Sequence, residues 1–413
     1  MRSTAENDRA RDNRGTGIIV AATAASAFSV LVFQAVASRT LGTNGFAPIA
    51  VLWTVVFLLF TVLMLPAEQH LTRALVVTRT PDQIRKVRRD AAGAFGLALV
   101  LGLGFVALTL TRFFNDDATY LLIIAAIVAT RSLMSVGRGT LAGHRRFAGY
   151  GATIALEAGV LLTGGIVVAL TDGGAIAFAV VMAIAPLATL AARPFASAYS
   201  DSEHHLVDAQ PGTFLVWLVV ATAFSQMIIA GGPIAVSFIG GGPVAVSIFF
   251  TSFALLRGPV TSAYNLVARV LPDFTELAQN DQQTQLWRWA HRITLAAGVA
   301  AILGAIGSGL LLIPIVETIY GQSFSPPVLA AVLGGAGVGL GLGALFVTQV
   351  YSAAALGSRL ALGWFVGLIA ATAVLVVVPI DPISRVALAF AAGEGTGLVL
   401  LGLVLAHPSG RRK

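Results

Sequence analysis

Long apolar segments alternate with short polar ones along the whole chain. A bilayer core about 30 Å thick requires about 20 consecutive apolar residues in a helix, and twelve segments are long enough. The twelve predicted spans are 17–38, 45–67, 91–111, 118–137, 150–170, 174–193, 212–235, 243–270, 291–313, 327–350, 361–380 and 384–406. The pattern therefore predicts an all-α polytopic membrane protein, with too little remaining chain for a globular extramembrane domain.

The composition agrees with this interpretation and excludes several functions. Of the 413 residues, 57% are hydrophobic and 11% are charged, whereas soluble domains have about 25% charged residues. The chain has no cysteine, which excludes disulfides and thiolate metal sites. It also lacks a phosphate-binding loop of the GxxxxGKS/T type, so we expect no ATP hydrolysis by that route. We predict neither a cofactor nor a nucleic-acid partner.

Lysine and arginine are concentrated on one side of the predicted spans. The segment before the first span and the gaps after the second and fourth spans are basic, whereas the opposite side carries only Arg39, Arg112 and Arg385. By the positive-inside rule, both termini are cytoplasmic. A signal-peptidase site after Ala37 is the competing interpretation of the first span, but the acidic leader and the long apolar run disfavour it.

Three landmarks recur once, at offsets between 198 and 206 residues. They are Leu41-Gly42 with Ile239-Gly240, Leu65-Pro66 with Leu271-Pro272, and Asp82-Gln83 with Asp281-Gln282. They predict two six-helix lobes in a parallel repeat around a central cavity, an architecture of secondary transporters. The alternative is twelve spans without internal symmetry. The predicted segments are a cytoplasmic start at 1–16, lobes at 17–193 and 212–406, a cytoplasmic linker at 194–211 and a tail at 407–413.

Charged side chains inside the predicted spans are functional candidates, because a charge at mid-bilayer costs about 2.5–3.5 kcal/mol on insertion scales. Arg131 and Glu157 lie at similar depth in adjacent spans, where a structural ion pair is the competing interpretation. Arg257 and Glu394 lie near the middle of their spans and have no obvious neighbour in sequence. Amide side chains add further candidates at Gln34, Gln226, Asn265 and Gln349.

Two other features have structural interpretations. Glu68 and Arg138 lie close enough to the ends of their spans to extend toward the interface. The tenth span contains a glycine run at 334–343, with small faces at 335/339/343 and 337/341. Such faces favour close helix contact, but glycine also weakens a helix. The sequence leaves both tight packing and a bending element open.

Three segments then carry a resemblance to a known family. They are Ala37–Phe46 (ASRTLGTNGF), Arg138–Phe147 (RGTLAGHRRF) and Pro314–Phe324 (PIVETIYGQSF). Together with the span pattern, they resemble the bacterial polysaccharide (O-antigen-type) flippases of the multidrug/oligosaccharidyl-lipid/polysaccharide exporter (MOP) superfamily. The resemblance covers nearly the whole chain.

The resemblance implies a fold of two six-helix lobes around a central cavity. It also implies a non-enzymatic transporter in the bacterial cytoplasmic membrane, which moves an undecaprenyl-diphosphate-linked saccharide by alternating access. Arg131, Arg138 and Arg257 would suit the diphosphate, and Glu157 or Glu394 would couple H⁺ or Na⁺. The four amide side chains remain further substrate-binding candidates. One alternative is a drug/cation antiporter of the same superfamily, which would prefer acidic groups in its N-terminal lobe. The other is a membrane glycosyltransferase or polymerase, which needs a large outer loop or an external carboxylate pair.

Overall fold

The structure, a computed structural model, describes residues 2–77, 81–144, 146–195, 212–260 and 282–406, together with residues 263, 274, 277 and 278. All regular secondary structure in these residues is helical, which confirms the predicted all-α class. The chain divides into two compact units, Met1–Ala209 (unit 1) and Gln210–Lys413 (unit 2). Several predicted features lie outside the described residues, namely Asn265, Leu271-Pro272, most of the linker 194–211 and the tail 407–413.

Within the described residues, unit 1 contains six long helices. They are α1 (2–41), α2 (43–77), α3 (Pro81–Leu108), α4 (Thr119–Gly143), α5 (Phe147–Leu170) and α6 (Ala175–Ala192). Helix α2 includes a π-helical turn at Phe60–Met64. Helix α6 becomes a 3-10 helix from Ala185 onward, where Pro186 has no N–H group to continue the α-helical hydrogen bonds.

Helices α1 and α2 meet at Gly42 without an intervening loop. Gly42 has φ 66° and ψ 178°, a combination that is open essentially only to glycine. Phe33 and Trp53 lie on opposite sides of Gly42 in the chain, yet their ring centroids are 5.9 Å apart. In a straight helix these residues would be about 30 Å apart. The chain therefore reverses at Gly42, and the two helices form an antiparallel pair.

Unit 2 also contains six long helices in its described residues. They are α7 (Gly212–Ala230), α8 (Pro243–Val260), α9 (Gln283–Tyr320), α10 (Val328–Ala353), α11 (Gly357–Val377) and α12 (Pro382–Val404). Helix α7 is followed by the short helix Gly232–Phe238, which is bent by 65° from it. The last turn of α12, Leu400–Val404, is π-helical, and Tyr351 Oη donates a 2.7 Å hydrogen bond to the Leu401 carbonyl in that turn.

These helices supply twelve spans. By length and composition, ten helices in the described ranges can cross a membrane, and the bent pair that begins with α7 supplies another. One of the ten, Ala21–Gln69, has 49 residues and contains the reversal at Gly42, so it counts as two spans. The protein is therefore a multi-pass membrane protein, and each predicted span corresponds to one of the helices α1 to α12.

Three helices extend into the polar intervals between the predicted spans. The interval 68–90 is helical wherever it is described, because α2 continues to Val77 and α3 begins at Pro81. Helix α4 likewise continues to Gly143, beyond its predicted end at residue 137. In both cases the residues become more polar while the helical hydrogen bonding continues. The end of the apolar run therefore comes before the end of the helix.

The described residues contain one complete pair of the repeat landmarks. Gly42 and Gly240 both have positive φ, at 66° and 96° respectively, and each directly or closely precedes the second long helix of its unit. Glycine adopts this conformation at little cost, whereas other residues are strained in it. The recurrence of glycine therefore reflects the same turn requirement in both units.

The glycine run in α10 packs against two neighbouring helices. The 335/339/343 face lies against α9, and the 337/341 face lies against α12. On the first face, an added Cβ would contact α9 at Gly304, Ser308, Ala300, Ala301 and Ala297. On the second face, it would contact α12 at Phe390 and Glu394. Helix α10 is continuous over its 26 residues. Of the two interpretations that the sequence left open, the structure therefore supports tight packing.

We expect Gly339→Ala to destabilise the protein by about 1–3 kcal/mol, because the new methyl group would overlap the α9 backbone at Ala300 and Ala301. The matched control is Gly298→Ala on α9, where a Cβ has open space, and it should leave stability unchanged or raised. Thermal unfolding of the purified variants in one detergent measures both. Equal melting temperatures for the two variants would contradict the packing role.

Candidate functional site

Unit 1 contains a buried charged centre on α4 and α5. Arg138 Nη2 donates a 2.8 Å hydrogen bond to Glu157 Oε2, and Arg131 Nη2 lies 3.4 Å from Glu157 Oε1. The predicted Arg131–Glu157 ion pair is therefore present, but the shorter contact is made by Arg138. One carboxylate thus accepts a hydrogen bond from Arg138 and forms a longer ion pair with Arg131.

Further polar groups extend this centre toward α2. Arg138 Nε donates to Thr153 Oγ1 at 3.0 Å, which fixes the guanidinium against α5. Tyr150 Oη, one turn earlier on α5, donates to Glu68 Oε1 at 3.2 Å. The centre therefore connects α2, α4 and α5 through side chains within unit 1.

The π-helical turn of α2 lies beside the same centre. The Arg131 guanidinium carbon is 5.7 Å from the centroid of the Phe60 ring, within the range of a cation–π interaction. Phe60 is the first residue of the π turn, and such single turns occur frequently at functional sites. The local change in helix geometry thus coincides with the side chain that contacts Arg131.

The sequence-based interpretation of Glu68 and Arg138 is wrong in one respect. Neither side chain extends to an interface, since Glu68 is only 4% exposed and Arg138 only 8% exposed. Both lie beyond the predicted ends of their spans, but α2 and α4 continue and pack against each other there. One sequence signal could have indicated that Glu157 contacts both arginines. Counted outward from the turn between α4 and α5, Glu157 lies at a distance between those of Arg138 and Arg131.

A cavity of about 340 Å³ adjoins the charged centre in unit 1. Glu68 and Tyr150 contribute to its wall. The other lining residues are Leu65, Gln69, Thr72, Ala142 and Phe147. The cavity therefore combines one carboxyl group with neutral oxygen atoms and two aromatic rings.

A second cavity, of about 300 Å³, lies within unit 2. It brings together three of the predicted site residues, Gln226 on α7, Gln349 on α10 and Glu394 on α12. Hydroxyl groups add to its polar wall at Thr222, Ser225, Thr348 and Ser352. The cavity thus contains one acidic group among several neutral hydrogen-bonding side chains.

Glu394 is the unusual group in this cavity. It is 0% exposed, and neither of its carboxyl oxygens has a hydrogen-bond partner among the described residues. A Cβ at Gly341 would lie 3.3 Å from Glu394 Oε2, so the glycine leaves room for the carboxyl group between α10 and α12. A buried carboxyl group without a partner is costly unless it binds a proton or a cation.

The comparisons with known proteins concern the fold. No protein-family model matches the chain, and no curated protein matches it in sequence. An inward-facing multidrug resistance MATE family transporter of the MOP superfamily aligns with a TM-score of 0.61 at 14% identity, covering 92% of this chain and 93% of that one. Lipid II flippase MurJ, in an inward closed conformation, aligns with a TM-score of 0.66 at 13% identity, covering 94% and 87%. The chain has the fold of the MOP-superfamily transporters.

An outward-facing MATE family transporter of the MOP superfamily has the same fold, with a TM-score of 0.51 at 12% identity over 94% of this chain and 92% of that one. The fold implied by the resemblance is thus confirmed. The polysaccharide-flippase subtype stays a prediction.

Two further predicted residues, Arg257 and Gln34, are not among the described residues that line either cavity. Arg257 follows Leu256, at a break in α8, and its Nε donates to the Phe253 carbonyl at 3.2 Å. Gln34 is buried on α1, and Asn265 lies outside the described residues. Arg131 belongs to unit 1 and Arg257 to unit 2, so a diphosphate site that uses both residues stays a prediction.

The acidic pair Asp116-Asp117 has a structural role. It lies in the short turn before α4, where Asp116 has φ 61° and Asp117 Oδ1 accepts a 2.9 Å hydrogen bond from Thr119 N. Hydrogen bonds from Thr119 lower the pKa of Asp117, as expected for a carboxylate at the start of a helix. Within the described residues, no group of three or more His, Cys, Asp or Glu side chains is arranged to hold a metal ion.

We expect Arg138→Ala to destabilise the protein by about 1–3 kcal/mol, because Glu157 then keeps only its longer contact with Arg131. Glu157→Ala should cost more, about 3–5 kcal/mol, because it leaves both arginines without their carboxylate. The Arg138→Ala/Glu157→Ala double variant should lose less free energy of unfolding than the two single variants lose together. The difference, which is the coupling free energy, should be about 0.5–3 kcal/mol. The Arg131→Ala/Glu157→Ala pair is the comparison, and its longer contact predicts weaker coupling. Unfolding in detergent provides the free energies. Additive losses for Arg138 and Glu157 would show that the contact contributes nothing.

Proposed function

We propose that this protein is a transporter that moves a lipid-linked oligosaccharide, carried on undecaprenyl diphosphate, across the bacterial cytoplasmic membrane for surface polysaccharide biosynthesis. Its fold is that of transporters that include a lipid II flippase. In this proposal transport proceeds by alternating access, and both termini are cytoplasmic. The protein acts without catalysis.

One observation supports an anionic substrate. In unit 1, Arg131 and Arg138 make ion pairs with a single carboxylate, that of Glu157. Within the described part of the chain, no second carboxylate lies within ion-pair distance of either guanidinium. The two guanidinium groups therefore retain capacity for another anion. Guanidinium groups also match phosphate oxygens through paired N–H donors, which lysine does not provide.

The structure favours Glu394 over Glu157 as the ion-coupling group. Glu157 is held by two arginines, so uptake of a proton or a sodium ion there would have to displace an ion pair. Glu394 has no such partner among the described residues and borders a cavity lined by oxygen-bearing side chains. In this proposal, Glu394 binds H⁺ or Na⁺, and Gln226 and Gln349 line the same site.

An antiporter of cationic drugs is the second candidate function. The observation in its favour is the same carboxyl group, because Glu394 in a largely apolar cavity would also suit an organic cation. The MATE family transporter with the same fold is named for multidrug resistance. The two functions differ in the charge of the substrate, which makes them separable by experiment.

Reconstituted protein should move a fluorescent undecaprenyl-diphosphate-linked oligosaccharide across the liposome membrane and should not move a cationic dye. Arg138→Lys should lower the rate about tenfold or more while leaving folding intact, because lysine keeps the charge but loses the paired donors. Arg112→Lys, at an exposed arginine, is the matched control and should be silent. Transport of the dye alone would assign the antiporter function instead.

Glu394→Gln should fold, since it removes an unpaired buried charge, but it should lose the component of transport that depends on an imposed proton or sodium gradient. Glu317→Gln on α9, a partly exposed carboxyl group, is the control. Rates with and without each gradient distinguish the two ions. Full gradient dependence in the Glu394→Gln variant would place the coupling site elsewhere.

A further inference from the structure

Glu68 is a second buried carboxyl group, and it lines a cavity in unit 1. The side chain is 4% exposed. Its Oε1 accepts the hydrogen bond from Tyr150 Oη at 3.2 Å. Its Oε2 makes no hydrogen bond of ordinary geometry among the described residues, although the Ser135 hydroxyl on α4 acts on the same carboxyl group. The carboxyl group is therefore stabilised by two hydroxyl groups and by no direct ion pair.

The nearby arginines do not compensate for this group directly. Arg138 donates to Glu157 and Thr153, and Arg131 pairs with Glu157. Across the described residues, Glu68 has no ion pair with either arginine, although Arg138 acts on it electrostatically. An ionised carboxyl group buried without a direct partner is costly, so such a group takes up a cation or a proton.

The 340 Å³ cavity gives a cation access to Glu68. Because a water molecule occupies about 30 Å³ in the liquid, the cavity has room for several. Neutral oxygen atoms in its wall come from Gln69, Thr72 and Tyr150, and none of the described lining residues is cationic. Among those residues, a positively charged ligand would therefore meet oxygen acceptors and no cationic side chain.

We propose that Glu68 and this cavity form a second monovalent-cation site, in unit 1, which takes up a proton or a sodium ion independently of Glu394. A single carboxyl group with neutral oxygen atoms suits a monovalent ion. In the described part of the chain, no group of three His, Cys, Asp or Glu side chains provides the acidic cluster that a divalent ion prefers.

The charged and titratable groups around Glu68 come from three helices. Helix α4 contributes Arg138 and, farther along, Arg131, while α5 contributes Tyr150 and Glu157. Helix α3, which also packs against α2, has Asp90 exposed near its start. Neutralising Glu68 removes a negative charge that faces Arg138. Cation uptake at Glu68 should therefore strengthen anion binding by the two arginines, and anion binding should strengthen cation uptake equally.

The test uses the full chain in lipid nanodiscs with Glu394→Gln as the parent, so that Glu68 remains the carboxyl group of interest. Infrared difference spectra between acidic and neutral pH should show a carboxylic-acid C=O band that Glu68→Gln removes. In a separate arm at fixed pH, sodium relative to potassium should raise the melting temperature, and Glu68→Gln should weaken sodium binding about tenfold or more. Asp172→Asn, an exposed carboxyl at φ 51°, is the matched control.

A Glu68-dependent band identifies the proton as the ligand, and a Glu68-dependent sodium effect identifies the metal ion. Either result supports the site, because neither measurement needs the transport substrate. If Glu68→Gln changes neither signal, the proposal is overturned. Glu68→Asp serves as the second variant, since it keeps the acid and should retain the response with a shifted band. A spectrum unchanged by Glu68→Asp would likewise exclude Glu68 as the titrating group.

Discussion

Helices in a bilayer gain little from burying apolar surface against each other, because lipid is equally apolar. Close backbone contact and internally satisfied polar groups have to hold them together. Unit 2 relies on close contact, since the two glycine faces of α10 bring α9 and α12 within reach of its backbone. Unit 1 relies more on polar contact, because Glu157 joins α4 and α5 through two arginines. The charges that make this protein a transporter candidate are thus also part of what holds its helices together.

Glu157 and Glu394 have contrasting surroundings. Glu157 is held by guanidinium groups, whereas Glu394 borders neutral amides and hydroxyls and has no partner among the described residues. An arginine-rich centre suits an anionic ligand, and an unpartnered carboxyl group suits a cation. Under the proposed function, the arginines of unit 1 would bind the anionic substrate and Glu394 of unit 2 would bind the coupling ion. Such a division would let ion and substrate act on one protein without competing for the same side chains.

The sequence predicted the fold well and the site in part. Twelve spans follow from hydropathy, since each needs only a long enough apolar run, and Gly42 and Gly240 marked equivalent turns in both units. Arg131 and Glu157 form an ion pair, which was one of the two interpretations that their similar depth left open. Arg138 and Glu68 were misplaced because hydropathy boundaries fall before the helices end, so their burial depends on tertiary packing. The sequence pattern also could not predict that Gln226, Gln349 and Glu394 line one cavity, because they lie on three helices that are brought together by tertiary packing.

The reversal at Gly42 has a consequence for how the protein enters the membrane. The first two spans are joined by one residue, Gly42. The first span therefore has no connecting loop that would let it cross the membrane before the second span is synthesised. Each backbone N–H and C=O group in the bilayer needs a partner inside the protein, and hydrogen bonding within each of the two helices supplies most of these partners. The first two spans are therefore expected to insert together as a helical hairpin as synthesis proceeds. A residue with a side chain at position 42 would disturb insertion itself, before any tertiary packing has formed.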